Sequence, residues 1–349
     1  MGGVITTYGA SARLGSLMPA RALMRLGYDA RTYSTAGDAA PAEEALRAAK
    51  RVVLGELFAN SQGWEGPVQT WRRLAAAVED RQERLVLSIA DDHFDNPHWR
   101  GFYAEFLPQC HAATAVSERL AQTLRQYTSR PVHVAPEPVE GNRGAPHAIA
   151  ARKLAAPLAW LGRRIGLTTD LWRVRLLWYG HPVNLAPFLE LVPALEAFAR
   201  SYPLLVTFIT APVAEIAALL TEKHTHPESR LRLNFVPWTP FALDAAMGIA
   251  DLVIIPSEHR NPLKHGKSPN RLVAGLHGGR FVVAHPLPAY QPYGEFAWLG
   301  EDLCEGLAWA IRHPREVAER IARGQAYIDE RHSPDAVARF WLDVFHPKK

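Results

Sequence analysis

Lys264, Lys267 and Arg271 place three cations within eight residues, around the pair Ser268-Pro269. Ser268 is expected to cap a helix, and Pro269 suits its first position. The open N–H groups and the dipole of such a helix start both favour an anion. The cations add charge-assisted hydrogen bonds. This chemistry is that of a phosphate site. A merely solvated basic loop is the alternative, and the cap, the clustered cations and the apolar runs on both sides weigh against it.

Those runs, Leu252–Ile255 and Phe281–Ala284, read as buried strands, so the basic loop follows a strand's carboxyl end, where open α/β sheets bind ligands. The same rhythm fills the chain. Strands are expected at Gly3–Tyr8, Arg51–Leu54, Leu85–Ile89, Ala112–Val116 and Val132–Ala135, with helical stretches such as Val68–Val78 and Glu118–Gln126 between them. Pro136, Pro138, Gly141 and Gly144 interrupt the pattern. It resumes with strands Leu176–Tyr179, Leu204–Thr210 and Arg232–Val236. Helices are expected after a cap at Asn184, at Val213–Thr221 and at Pro240–Ile249, and Gly300–Arg312, Arg315–Arg331 and Pro334–Phe345 close the chain. The expected fold is α/β: two Rossmann-like, doubly wound parallel-sheet domains facing a cleft. The first spans 1–140, with helix 332–349 packing back on it. A linker spans 141–173, and the second domain spans 174–331.

With 349 residues the chain exceeds one ordinary α/β core. Its 48% hydrophobic and 21% charged residues are globular in balance. A net charge of +4, from 39 basic and 35 acidic residues, argues against a nucleic-acid partner. Two isolated cysteines, Cys110 and Cys304, form neither a disulfide framework nor a zinc site. No secretory leader or spanning run is visible, so the expected location is the cytoplasm. Segment 148–173 carries Arg152, Lys153, Arg163, Arg164 and Arg173 among apolar residues. It reads as an interdomain linker helix or as a peripheral contact with the inner face of a membrane.

Several motifs, in order, resemble the GT-B glycosyltransferases of the bacterial "group 1" type. They are Arg13 and Pro19 leading to Gly27-Tyr28, Asp91-Asp92-His93, and the run from His111 to Leu120. Val134-Ala135-Pro136-Glu137-Pro138, Ala250-Asp251 to Pro256-Ser257, and Gly279 to Ala284 complete the set. One departure stands out. Many retaining members carry two glutamates before the last motif, where this chain has Gly266 and Ala274. The resemblance is therefore to a divergent branch in which a Lys267-Ser268-x-Asn270-Arg271 loop grips the donor phosphates. It leaves retaining or inverting stereochemistry open.

The resemblance implies transfer of a sugar from a nucleotide-diphosphate sugar to a hydroxyl of a glycan, lipid or small molecule, with no metal and no cofactor beyond that co-substrate. Lys267, Ser268, Arg271, Lys264, Asn270 and Gly180 would stabilise the leaving diphosphate. Val236, Trp238, Glu258 and His181 would meet the nucleobase or donor sugar, although Trp238 also suits a core, Glu258 a surface and His181 a cap. Ser11 and Arg13 would touch donor or acceptor. If the reaction inverts, Asp92 or His93, with Asp91, supplies the general base. The same cluster with Asp95 and His98 has the chemistry of a metal site, at irregular spacing. Other readings are a nucleotide-sugar epimerase or phosphorylase on this fold, or a non-catalytic partner that binds nucleotide sugar or scaffolds another transferase.

Overall fold

A computed structural model describes residues 12–33, 40–56, 63, 65–147, 149, 166–167, 172–224 and 230–346. The expected strand Gly3–Tyr8 and residue Ser11 lie outside them, as does all of segment 148–173 apart from residues 149, 166, 167, 172 and 173. The chain forms two compact units. One contains Met1–Pro138, Pro262–Ser268 and Glu330–Lys349, the other Val139–Asn261 and Pro269–Asp329.

In the first unit, β1 (Val52–Leu54), β2 (Leu85–Ile89), β3 (Ala112–Ala115) and β4 (Val132–Val134) form a parallel sheet in that order. The runs are short and β2 and β3 are almost wholly buried, as expected for a sheet covered on both faces. Ser117 caps the helix Glu118–Arg125 by accepting from Leu120 N at 3.2 Å, and its own hydroxyl donates to Gly266 O at 2.8 Å. One buried side chain thus fixes both a helix start and the basic loop. The last helix, Pro334–Phe345, buries Val337, Trp341 and Val344 against Val86 and Ala112.

In the second unit, β5 (Val174–Tyr179), β6 (Leu204–Thr210), β7 (Leu231–Pro237), β8 (Leu252–Ile255), β9 (Phe281–Ala284) and β10 (Trp298–Leu299) form an all-parallel sheet of order β10-β9-β8-β5-β6-β7. The strand order reverses between β5 and β8, which is where such sheets open a crevice at their carboxyl ends.

Two expected helix starts are corrected. The helix after the basic loop is Asn270–His277, with Pro269 at its N-cap and no side-chain cap, so Ser268 does not hold that position. Asn184 ends a 3₁₀ turn, Pro182–Asn184. The helix Ala186–Ala199 follows with Leu185 at its N-cap.

At the amino end of β8, Asp251 is buried with Arg175 and His147. It accepts from Arg175 N at 2.9 Å, from Arg175 Nε at 3.0 Å and Nη2 at 2.6 Å, and lies 2.9 Å from His147 Nε2. Burial alone would raise its pKa. The bonds from His147 and Arg175 outweigh that and lower it from 3.8 to about 2. A depressed carboxylate contributes stability that is full above its ordinary value and is lost as pH falls through the folded one. Asp251→Asn should therefore destabilise the protein by about 3–5 kcal/mol at neutral pH. It should also flatten the pH dependence of unfolding between about 4 and 2, read by denaturant titration. Unchanged stability would rule this account out.

Candidate functional site

The first unit gathers its chemistry at the carboxyl ends of its strands. Glu56 follows β1, and Asp91, Asp92 and His93 follow β2. The Glu56 side chain is 2% exposed, and its Oε1 lies 2.6 Å from His93 Nε2 and accepts from Asp91 N at 3.1 Å. Glu56 Oε2 is buried and accepts no hydrogen bond among the described residues. Lys267 Nζ is ion-paired with Asp91 Oδ1. Asp92 accepts from Phe94 N at 3.2 Å, closing the turn after β2.

Asp91, Asp92, His93 and Lys267 are thus brought together, and Lys267, expected at the donor phosphates, is ion-paired with Asp91. Its ammonium is committed to a carboxylate far away in sequence. Lys264 ends a 3₁₀ turn, Pro262–Lys264, in the same loop, with Ser268 at the loop's last position in this unit. Gly266 packs on Asp92: a Cβ at that glycine would lie 3.2 Å from Asp92 Cβ. A glutamate there would crowd the loop.

Glu56 was not picked out by the sequence. Its signal was its place, two residues past the end of a strand, where ligand-facing side chains gather. Glu56 also lines a small cavity of about 40 Å³ with Gly15, Ser16, Ser88, Ala90 and Trp341. Arg13 is buried at the start of the preceding helical turn. His93 and Glu56 with Asp91 bring ligand atoms within 4.8 Å of one another, the grouping that a metal would need, and Asp95 lies outside it. The side chain of His98 lies outside what the structure describes.

In the second unit, Gly180 directly follows β5 and Arg271 lies in the first turn of Asn270–His277, which Asn270 opens. A Cβ at Gly180 would stand 3.5 Å from Arg271 Nη1, so bare backbone passes beside the guanidinium. Tyr179, whose phenol is raised in pKa by burial, donates from its hydroxyl to Arg271 O. Arg271 Nη1 is buried and has no hydrogen-bond partner among the described residues. A buried guanidinium nitrogen without an acceptor is costly unless a ligand supplies one. Gly180 and Arg271 thus stand together at the switch point of the sheet.

Other expected contacts fall differently. His181 Nδ1 accepts from Val183 N at 3.3 Å, which makes it the cap of the 3₁₀ turn. The Val236 side chain is in the core, leaving only its backbone for a ligand. Trp238 packs at the core's margin, and its backbone N–H donates to Thr210 O at 2.9 Å. Glu258 is exposed and accepts from Asn261 at 3.0 Å.

No protein-family model matches the chain, and no curated protein matches it in sequence. Solved structures do match in shape. HepE of Anabaena, in complex with UDP and glucose, aligns with a TM-score of 0.58 at 15% identity, over 91% of this chain and 84% of its own. A glycosyltransferase from Rickettsia africae aligns at 0.63 and 10% identity, over 97% and 95%. The fold is GT-B. TarM also aligns, at 0.54 and 10% identity, and this chain spans 58% of the TarM chain. At such identities the GT-B likeness is one of architecture, and the chemistry must come from the residues above.

Burial raises the Glu56 pKa, with the bond to His93 opposing it. The bond to Glu56 raises His93 above 6.5, with burial opposing it. For a histidine raised in this way, the stabilisation is present below 6.5 and is lost as pH rises through the folded value. Glu56→Gln should therefore lower the His93 pKa, read from the pH dependence of its Cε1 proton in NMR. A His93 titration identical in both proteins would show that Glu56 does not control it.

Proposed function

We propose that the protein is a glycosyltransferase that moves a sugar from a nucleotide-diphosphate sugar to an acceptor hydroxyl, on a glycan, lipid or small molecule. The observation that carries this reading is the buried, acceptor-less Arg271 Nη1 beside Gly180 at the switch point of a GT-B second sheet. A leaving diphosphate would supply the missing oxygens, and the guanidinium would stabilise the charge that develops on it. The HepE structures contain UDP, UDP and glucose, or UDP-glucose, which makes UDP-glucose the first donor to try and UDP the first nucleotide to test for binding.

On the acceptor side, Glu56 holds His93 through Nε2, and His93 in its neutral form takes the acceptor proton through its other ring nitrogen. Glu56 acts here as a positioning residue. The reading is metal-independent. Cations face both sites, and the Lys267 ammonium already pairs with Asp91, one member of the carboxylate–histidine grouping. It also keeps the protein in the cytoplasm, with segment 148–173 as the linker or as a contact with the inner face of a membrane.

Arg271→Ala should weaken binding of a nucleoside diphosphate by roughly 1.5–3 kcal/mol in calorimetry, and wild-type affinity in that variant would remove the basis of the proposal. Transfer should persist in EDTA, while His93→Ala should lower turnover by roughly 10²–10⁴-fold with donor affinity retained. Loss on chelation with rescue by magnesium or manganese would make Glu56, Asp91 and His93 metal ligands instead.

A further inference from the structure

Residues 24–33 display Met24, Leu26, Tyr28 and Tyr33 to solvent, at 57%, 45%, 49% and 45% exposure. Their presentation is built. The helix Met18–Arg25 buries Pro19 and Ala22, and Leu23 packs on the cluster of Val86, Val337, Trp341 and Val344. The opposite face presents Arg21, Met24 and Arg25. Tyr28 N donates to Leu23 O at 3.2 Å and Gly27 N to Met24 O at 3.0 Å, with Gly27 at φ +88°. This is the Schellman turn, which needs a left-handed residue after the helix. Its apolar follower ordinarily folds back on the helix, whereas here Tyr28 stands out. A hydrogen-bonded turn thus fixes the apolar side chains outward.

Charge is interspersed with them in the segment. Arg21, Arg25 and Arg31 are exposed, and Asp29 pairs with Arg31 at 3.0 Å, which leaves three cations against one anion. Exposed apolar side chains and exposed arginines in one short segment complement a surface with anionic headgroups over hydrocarbon, and tyrosines suit that boundary. A two-fold contact between copies through this face would set arginine against arginine. No helix among the described residues is long and apolar enough to cross a membrane.

We propose that residues 18–33 dock the protein peripherally on an anionic lipid bilayer. The proposal stands apart from the transfer reaction. The test is sedimentation of the full chain with vesicles of phosphatidylcholine alone and of phosphatidylcholine mixed with phosphatidylglycerol. Binding is expected only to the mixed vesicles and should fall with added salt. M24S/L26S/Y28S should abolish it, and R21E/R25E should weaken it roughly tenfold or more. Both variants alter exposed side chains, and their thermal unfolding should match the wild type. Wild-type protein that ignores the mixed vesicles would overturn the proposal. So would variants that bind as well as wild type, which would place the lipid-binding surface elsewhere. If the wild type binds no vesicles, and the variants instead abolish self-association or binding to an acidic protein, the face is a protein interface and the proposal falls as well.

Discussion

A carboxylate taken out of water must be matched, and Glu56 sets that demand for the first unit. Its side chain is 2% exposed, so the charge cannot be left to solvent. His93 answers it directly, and Asp91 is tied to the same carboxylate through its backbone N–H. Asp91 in turn takes Lys267, and Ser117 holds the backbone of Gly266 beside it. The ends of β1 and β2, the start of the helix after β3 and the loop Pro262–Ser268 are therefore fixed by one chain of polar contacts. Removing His93 would leave the buried Glu56 carboxylate without its cationic partner, whereas Asp91 and Lys267 keep some access to water.

The second unit solves the opposite problem. There a cation is held in readiness. Arg271 is fixed by its backbone carbonyl, through Tyr179, and its buried Nη1 has no hydrogen-bond partner among the described residues. The two units thus treat their basic residues differently although Lys267 and Arg271 lie in one short stretch. One cation is neutralised within the fold, and the other keeps bonding capacity for something that the described residues do not provide.

The strands were legible because parallel sheets buried on both faces write themselves as short apolar runs, as at Leu85–Ile89, Leu204–Thr210 and Leu252–Ile255. The reversal at β5 and β8 was not legible, since it depends on which strands pair. The helix start at Asn270 was misread by one residue because Ser-Pro fits a cap and a first position equally well. Pro269 at φ −81° takes the cap itself. The pairing of Lys267 with Asp91 spans 176 residues, beyond any local pattern. Glu56 stands alone in the sequence, and it meets the run Asp91-Asp92-His93 only because β1 pairs with β2. The places of Gly180 after β5 and of Arg271 in the helix after the basic loop were legible, but their meeting was not, because it depends on β5 lying beside β8.

The segment from Val139 to His147 has no regular secondary structure, yet the second unit is tied together by it. Gly144 N bonds His277 O at 3.0 Å, His147 N bonds Gly279 O at 3.0 Å, and Gln325 reaches back to Gly144 O at 2.7 Å. His147 also completes the set around Asp251. The piece that looks like a connector is therefore a strap belonging to the unit that follows it. Anyone dividing this chain to produce the second unit alone would have to cut before Val139. A cut at the first regular strand, β5, would open the floor of that unit and leave a buried carboxylate short of a ligand.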